Sequence, residues 1–297
     1  MPTAKTSSWI YRFLFLGLVW GSSFLFISFS LQSLPPVGVA FWRTAIGALT
    51  LLVFMFIARV SFVRGAKTWL HLWIAGLFMS AIPAVLFSYA MQDVSSALAS
   101  IINASTPIFT VLAILIAFRA EKPKPRVIFG LIIGLAGVLI VLGIWQGLGK
   151  SDPLAIIAML LAVSCYGIGG PYIRKYVEPL GVRPEAAVFG QTLTSAFSLL
   201  PLYAFGSLTI APLNLESIGG ILALGILGTG VAYVVFYQLL AQVGSAIGSA
   251  VTYFSPVVGV ILGVIILNEE LHWYEPVGAA VLLFGAAVAQ GRFSKKK

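Results

Sequence analysis

The sequence predicts an all-α membrane protein: ten transmembrane helices arranged as two inverted five-helix repeats around a central cavity. Three observations predict it. Ten stretches of roughly twenty apolar residues follow one another, each long enough for the roughly 30 Å hydrocarbon layer of a bilayer. Lysine and arginine fall almost entirely into alternate short loops, and the chain resembles itself at a shift of about 149 residues. In hydrocarbon the backbone must satisfy its own polar groups, as helix or closed barrel, and continuous rather than alternating apolar runs select helix.

Composition agrees: 60% of residues are hydrophobic and 9% charged, against about half and a quarter in ordinary soluble domains. The one cysteine, Cys165, lies inside an apolar run and excludes an internal disulfide framework or a cysteine-based zinc cluster. The net charge of +9 sits in loops between spans, where lipid orientation accounts for it and no nucleic-acid partner is expected.

In order, the spans are expected at Trp9–Leu31, Val37–Ala58, Leu70–Met91, Ser95–Phe118, Arg126–Trp145, Pro153–Tyr176, Glu185–Phe205, Ser217–Leu239, Ser245–Leu267 and Trp273–Gly291. The first follows Lys5 and Arg12 but has no small-residue cleavage site, so it reads as a retained span rather than a signal peptide. With the N-terminus in the cytoplasm, sixteen of the 18 lysines and arginines fall on the cytoplasmic side, Lys150 alone falls outside, and Arg43 stays within the second span. Both termini are therefore expected in the cytoplasm.

The self-similarity divides the chain into residues 1–148 and 149–297. Val94, Ser96, Ala97, Ser100, Pro107, Val111 and Glu121 fall on Val243, Ser245, Ala246, Ser249, Pro256, Val260 and Glu270; Gly130 and Gly137 match Gly278 and Gly285 at a shift of 148. Five spans per copy force the second copy into the membrane upside down. That is the usual geometry of alternating-access transporters, with the substrate site near the midplane between copies. A duplicated scaffold or receptor without transport is the competing reading.

Trp20-Gly21-Ser22, Phe41-Trp42-Arg43, the small-residue run Ser95–Ser100, Pro107, Glu121 and the glycines Gly130–Gly137 resemble an EamA-type domain. Ser245–Ser249, Pro256, Glu270 and Gly278–Gly285 repeat the later features. Over essentially its whole length the chain is similar to the ten-helix branch of the drug/metabolite transporter superfamily, and within it to bacterial exporters of amino acids and related metabolites. The resemblance implies a basket-like bundle in a bacterial inner (plasma) membrane. Its cavity would be lined by the first, third, fourth, sixth, eighth and ninth spans, with the fifth and tenth peripheral. Gln191 stands where Arg43 stands in the first copy, so the role of Arg43 is not symmetric.

Arg43 is a charge about six residues inside its span, a depth at which charges normally face the bundle or a watery cavity. It can hold a substrate carboxylate with its forked donors, or it can serve structure by snorkelling or by pairing with Asp93. No span centre contains Asp, Glu, Lys or His. A buried acid of the kind proton-coupled exporters of cations use is missing, which favours facilitated diffusion or exchange. The candidate substrate-binding residues are the polar and aromatic groups near the midplane: Trp20, Ser23, Arg43, Ser80, Asn103, Thr106, Tyr166, Tyr233 and Tyr253, with Ser255 and Pro83 nearby. Pro107 and Pro256, in corresponding positions, are candidate hinges or fixed kinks. Small residues spaced by four, such as Gly130 with Gly134 and Gly259 with Gly263, predict close helix approach.

Two motifs fail. Residues Gly143–Ser151 end like a phosphate-binding loop, but Ile144 occupies the position that requires glycine. Glu269 and His272 have the spacing of a carboxylate-bridged metal site but lack companion glutamates, so they read as solvated loop residues; His71 reads as an interfacial residue. The expected function is export of small metabolites, namely amino acids, by alternating access. Nucleotide-, purine- or sugar-type metabolites or drugs are the alternative substrates, and a non-transporting sensor the alternative class. No enzyme activity, cofactor or metal is expected; the expected partners are a small-molecule substrate and the lipid bilayer, and a monomer suffices.

Overall fold

The computed structural model describes residues 8–118, 125–143, 145, 152–206, 211–236, 238, 239, 242 and 251–289. Among them are ten apolar helices and no strand: α1 (Trp9–Leu31), α2 (Pro36–Ile57), α3 (Ala66–Ala90), α4 (Ser96–Ile116), α5 (Pro125–Val141), α6 (Pro153–Leu180), α7 (Pro184–Phe205), α8 (Leu215–Phe236), α9 (Val251–Leu267) and α10 (Tyr274–Ala289). Seven are long and apolar enough to cross a membrane; α5, α9 and α10 are shorter, at 17, 17 and 16 residues. The expected start of the ninth span at Ser245 and the end of the tenth at Gly291 lie outside the described residues.

Local chemistry sets the ends. Proline opens α2, α5, α6 and α7, where its missing N–H costs nothing. The side chains of Ser95, Asp152 and Asn214 accept from backbone N–H groups in the first turns of α4, α6 and α8. Helix α5 stops at Val141 rather than at the expected Trp145, because Gly143 takes a left-handed conformation (φ 56°) and its N–H closes on the Ile140 carbonyl. Helices α3 and α6 run past their expected ends to Ala66 and Leu180, carrying Lys67, Arg174 and Lys175 out of the apolar region.

The pairing of helices shows the inverted repeat directly. Exchanging each helix with the one five places along maps the contacts onto themselves. Helix α4 packs on α6 as α9 packs on α1; α3 packs on α6 as α8 packs on α1; α3 packs on α7 as α8 packs on α2. The pairs α2–α7, α4–α9 and α5–α10 lie across the axis. Even single contacts obey it: Gly76 of α3 faces the Gln191 carbonyl of α7, while Gly225 of α8 faces the Arg43 carbonyl of α2. Arg43 and Gln191 are therefore equivalent positions in space as well as in sequence. Helices α5 and α10 form the tightest pair, with Gly134, Gly137, Gly278 and Gly285 bringing the two backbones together at the edge of the bundle.

Among the described residues the core is divided among several clusters. One end of the bundle carries the basic loops at Arg59–Lys67 and Arg174–Arg183. At the opposite end one large buried cluster joins α1, α2, α3, α4, α5, α6 and α8 through residues such as Phe24, Ile27, Val39, Phe87, Ile102, Met159, Val163 and Leu224. Toward the basic end, the described residues form separate clusters: Leu51 and Met55 with Phe189, Leu16 and Leu239 with Val251, and Leu72 with Val177.

Candidate functional site

Between the two halves lies a chamber of about 240 Å³, lined by Trp20, Ser23, Phe24, Ile27, Arg43, Met79, Phe87, Asn103, Thr106, Tyr166, Tyr233 and Ser255. It is reached from α1, α2, α3 and α4 of the first half and α6, α8 and α9 of the second. A smaller annex of about 30 Å³ adjoins it, lined by Arg43, Thr44, Met79, Ser80, Tyr166, Thr229 and Tyr233.

The backbone around the annex is locally unusual. Helices α3 and α8, equivalent under the two-fold, both widen into π-helical turns, at Leu77–Ala81 and Ala223–Val231. In α3 the wide turn precedes Pro83, whose nitrogen cannot donate. In α8, Thr229 Oγ1 donates to the Leu224 carbonyl at 3.0 Å and accepts from Arg43 Nε at 3.3 Å. Thr229 thus orients the guanidinium while satisfying its own backbone. Among the described residues Arg43 has no acidic partner, so the pairing with Asp93 considered from the sequence is not formed.

Helix α4 is broken at Ala104–Ser105, just ahead of Pro107. Hydroxyls take up the freed carbonyls: Ser105 donates to the Ile102 oxygen at 2.6 Å and Thr106 to the Asn103 oxygen at 2.7 Å. The break leaves the Asn103 side-chain amide at the chamber wall with no partner among the described residues. Helix α9 passes through Pro256 without a break, so the two prolines, equivalent in sequence, differ in effect.

Aromatic rings close the chamber on two sides. Toward the opposite end, Phe87 meets Phe24 edge-on at 5.5 Å and stacks on Tyr166 at 6.2 Å. Toward the basic end, Trp20 lies 6.2 Å from Tyr233 and 5.1 Å from Phe236, and donates its indole N–H to the Gly228 carbonyl at 3.2 Å. Among the sequence candidates, Trp20, Ser23, Arg43, Asn103, Thr106, Tyr166 and Tyr233 share the chamber and Ser80 the annex; the Tyr253 side chain lies outside the described residues. Ser23 bonds the Val19 carbonyl at 3.1 Å. Sequence reasoning missed Phe24, Ile27, Met79 and Phe87, apolar residues in apolar helices, as well as Thr44 and Thr229. For Thr229 the surrounding Gly225, Gly228 and Gly230 were the available signal.

The expectation that Glu269 is a solvated loop residue is corrected. Its carboxylate accepts from Ser96 N at 2.6 Å, Ala97 N at 2.9 Å and Ser96 Oγ at 3.0 Å, clasping the N-terminus of α4 from the loop between α9 and α10. A helix N-terminus offers unsatisfied N–H groups and a partial positive charge, which a carboxylate complements. The absent side chain of Gly263 makes room for it. His272 pairs not with Glu269 but with Glu275, at 3.8 Å.

The sequence pattern of the EamA-like transporter family matches residues 7–143 and again residues 153–290. The chain belongs to this family. Its relatives include the uncharacterized transporter YoaV of Bacillus subtilis, 24% identical over 94% of this chain and 96% of that one. The uncharacterized inner membrane transporter YedA of Escherichia coli is 26% identical over 92% and 87%. A solved crystal structure shares the fold, with a TM-score of 0.67 at 21% identity, covering 98% of this chain and 99% of its own. This EamA-family member is a multi-pass membrane protein of a transporter family, and its chamber lies where the two family repeats meet.

Proposed function

We propose that this EamA-family protein is a permease for amino acids, moving them by alternating access through facilitated diffusion or exchange, with export as its direction in the cell. The observation that carries the reading is a guanidinium, Arg43, the one charged group among the described residues of a chamber walled by aromatic rings, hydroxyl-bearing residues, the Asn103 amide and the apolar Ile27 and Met79. Such walls suit a zwitterion: the guanidinium meets the carboxylate, hydroxyl and amide oxygens meet the ammonium, and Trp20, Tyr166 and Tyr233 pack the side chain. The chamber's 240 Å³ lies below the roughly 300–1,000 Å³ of sites that enclose drug-sized ligands, which favours amino acids over nucleotide sugars. Pro107, at the α4 break, is the proposed hinge; Pro256, in an unbroken helix, serves as a packing element. The basic loops and both termini are assigned to the cytoplasm.

The test is counterflow of labelled amino acids into proteoliposomes of the purified protein. Saturable uptake absent from protein-free liposomes is expected. Equal uptake with and without protein, for a panel of amino acids, refutes the reading.

A further inference from the structure

We infer that the annex at Arg43 is a carboxylate subsite, and that the carboxylate, not the ammonium, is the part of the substrate this protein recognises by charge. The inference rests on the permease reading above and narrows it to a substrate class: small monocarboxylates with a compact apolar or aromatic tail, of which amino acids are one kind.

Charge carries the first step. Among the described residues Arg43 is the one formal charge on the walls of either compartment; the other lining residues are neutral. A guanidinium at that depth is costly unless an anion or water answers it, and Thr229 supplies one neutral oxygen to one of its five donors. The remaining donors have no partner among the described residues. Among the described residues no carboxylate lines the chamber to hold an ammonium group, so a zwitterion's positive end meets neutral oxygens and ring faces.

Size carries the second. The annex, at about 30 Å³, has room for about two water-sized oxygens. Tyr166, Tyr233, Thr44 and Ser80 share this wall; the Thr44 hydroxyl donates to the Ala40 and Phe41 carbonyls, and neither tyrosine hydroxyl has a hydrogen-bond partner among the described residues. The chamber alongside is eight times larger by the ratio of the two volumes, and Phe24, Ile27, Met79, Phe87 and Trp20 make it the place for the tail. A charged head in the annex and a tail in the chamber is a two-compartment fit that a cationic amine cannot make, because its charge would face Arg43.

The experiment compares four compounds on one skeleton: phenylalanine, 3-phenylpropionate (no ammonium), phenethylamine (no carboxylate) and phenylalanine amide. Binding to the purified full chain is measured by calorimetry, and competition by counterflow in proteoliposomes. Phenylpropionate is expected to bind within about threefold of phenylalanine, while the amine and amide bind about 10- to 100-fold more weakly, the range for losing charge-assisted hydrogen bonds. Arg43→Gln, which installs the residue that the second repeat carries at Gln191, is expected to weaken the two acids by the same 10- to 100-fold and leave the amide unchanged. Thr229→Val keeps the charge and is expected to cost the acids only a few-fold. Phenethylamine competing as well as phenylpropionate overturns the inference, as does an Arg43→Gln protein that still prefers acid over amide. Where Arg43→Gln fails to fold, the analogue series on the unaltered protein decides. A protein that binds phenylpropionate with this preference but moves no amino acid refutes the permease reading and leaves the subsite standing. One that moves amino acids without preferring acids over amines does the reverse.

Discussion

Replacing Glu269 with glutamine should loosen the end of the bundle remote from the basic loops. The carboxylate takes two backbone N–H groups and one hydroxyl, at 2.6, 2.9 and 3.0 Å, across 173 residues of sequence. Hydrogen bonds to a charged group contribute about 1.5–3 kcal/mol against about 0.5–1.5 for neutral ones. Glutamine keeps one acceptor oxygen, and its NH₂ confronts an N–H that it cannot satisfy. Because Glu269 is only half-buried, the loss is discounted to about 1–2 kcal/mol, or about 5- to 30-fold in the equilibrium between closed and open forms of that end. Ala97, 1% exposed beneath the carboxylate, reports the opening. In an Ala97→Cys, Cys165→Ser background, Glu269→Gln should raise the labelling rate with a charged maleimide by about that factor. A rate within twofold of the parent, in protein that elutes as a single sharp species, refutes the argument that this clasp holds the end shut.

Three further outcomes follow from packing and capping. Gly137→Val would place a side chain within 2.6 Å of the Leu282 Cα across the α5–α10 contact, and overpacking of about 1–3 kcal/mol should lower the thermal midpoint in detergent by about 5 °C or more; no change argues against this pair as a rigid unit. Trp20→Phe removes the indole bond to the Gly228 carbonyl while keeping a ring against Phe236, and about 1 kcal/mol of lost stability should appear as a midpoint about 2–4 °C lower. Asn214→Ala removes the cap on Ser217 N and the 2.7 Å bond to Gln32 that links α8 to α1; about 1 kcal/mol is expected, read as faster amide exchange in the first turn of α8, and unchanged exchange would count against it.

Hydropathy reveals spans because burial in lipid depends on local composition, and the ten expected stretches correspond to the ten helices. The inverted repeat was equally visible, since it is written in the order of Ser96, Pro107 and Gly137 and their counterparts. What composition cannot show is which side of an apolar helix faces inward. Phe24 and Phe87, the roof of the chamber, look in the sequence like any other phenylalanine in a span. Glu269 was misread for a related reason: its partners are far away in sequence, and an acid beside a turn looks solvated until the fold brings a helix N-terminus to it. Pro107 and Pro256 show the limit of motif symmetry. Ser105 and Thr106 bond the carbonyls at the α4 break before the first, while α9 keeps its course through the second although Thr252 and Ser255 precede it.

The exchange of Arg43 for Gln191 gives a nearly symmetric machine a handedness. Two half-turns of a symmetric device would be mirror events, and a cargo would meet the same grip from either side of the membrane. Among the described residues the cationic side chain on the chamber wall, Arg43, rides on α2, and in the proposed alternating-access motion it travels with one half. Under the proposed permease reading, loading and unloading are then different acts. In the proposed permease, half-saturation on the two faces then has no reason to agree.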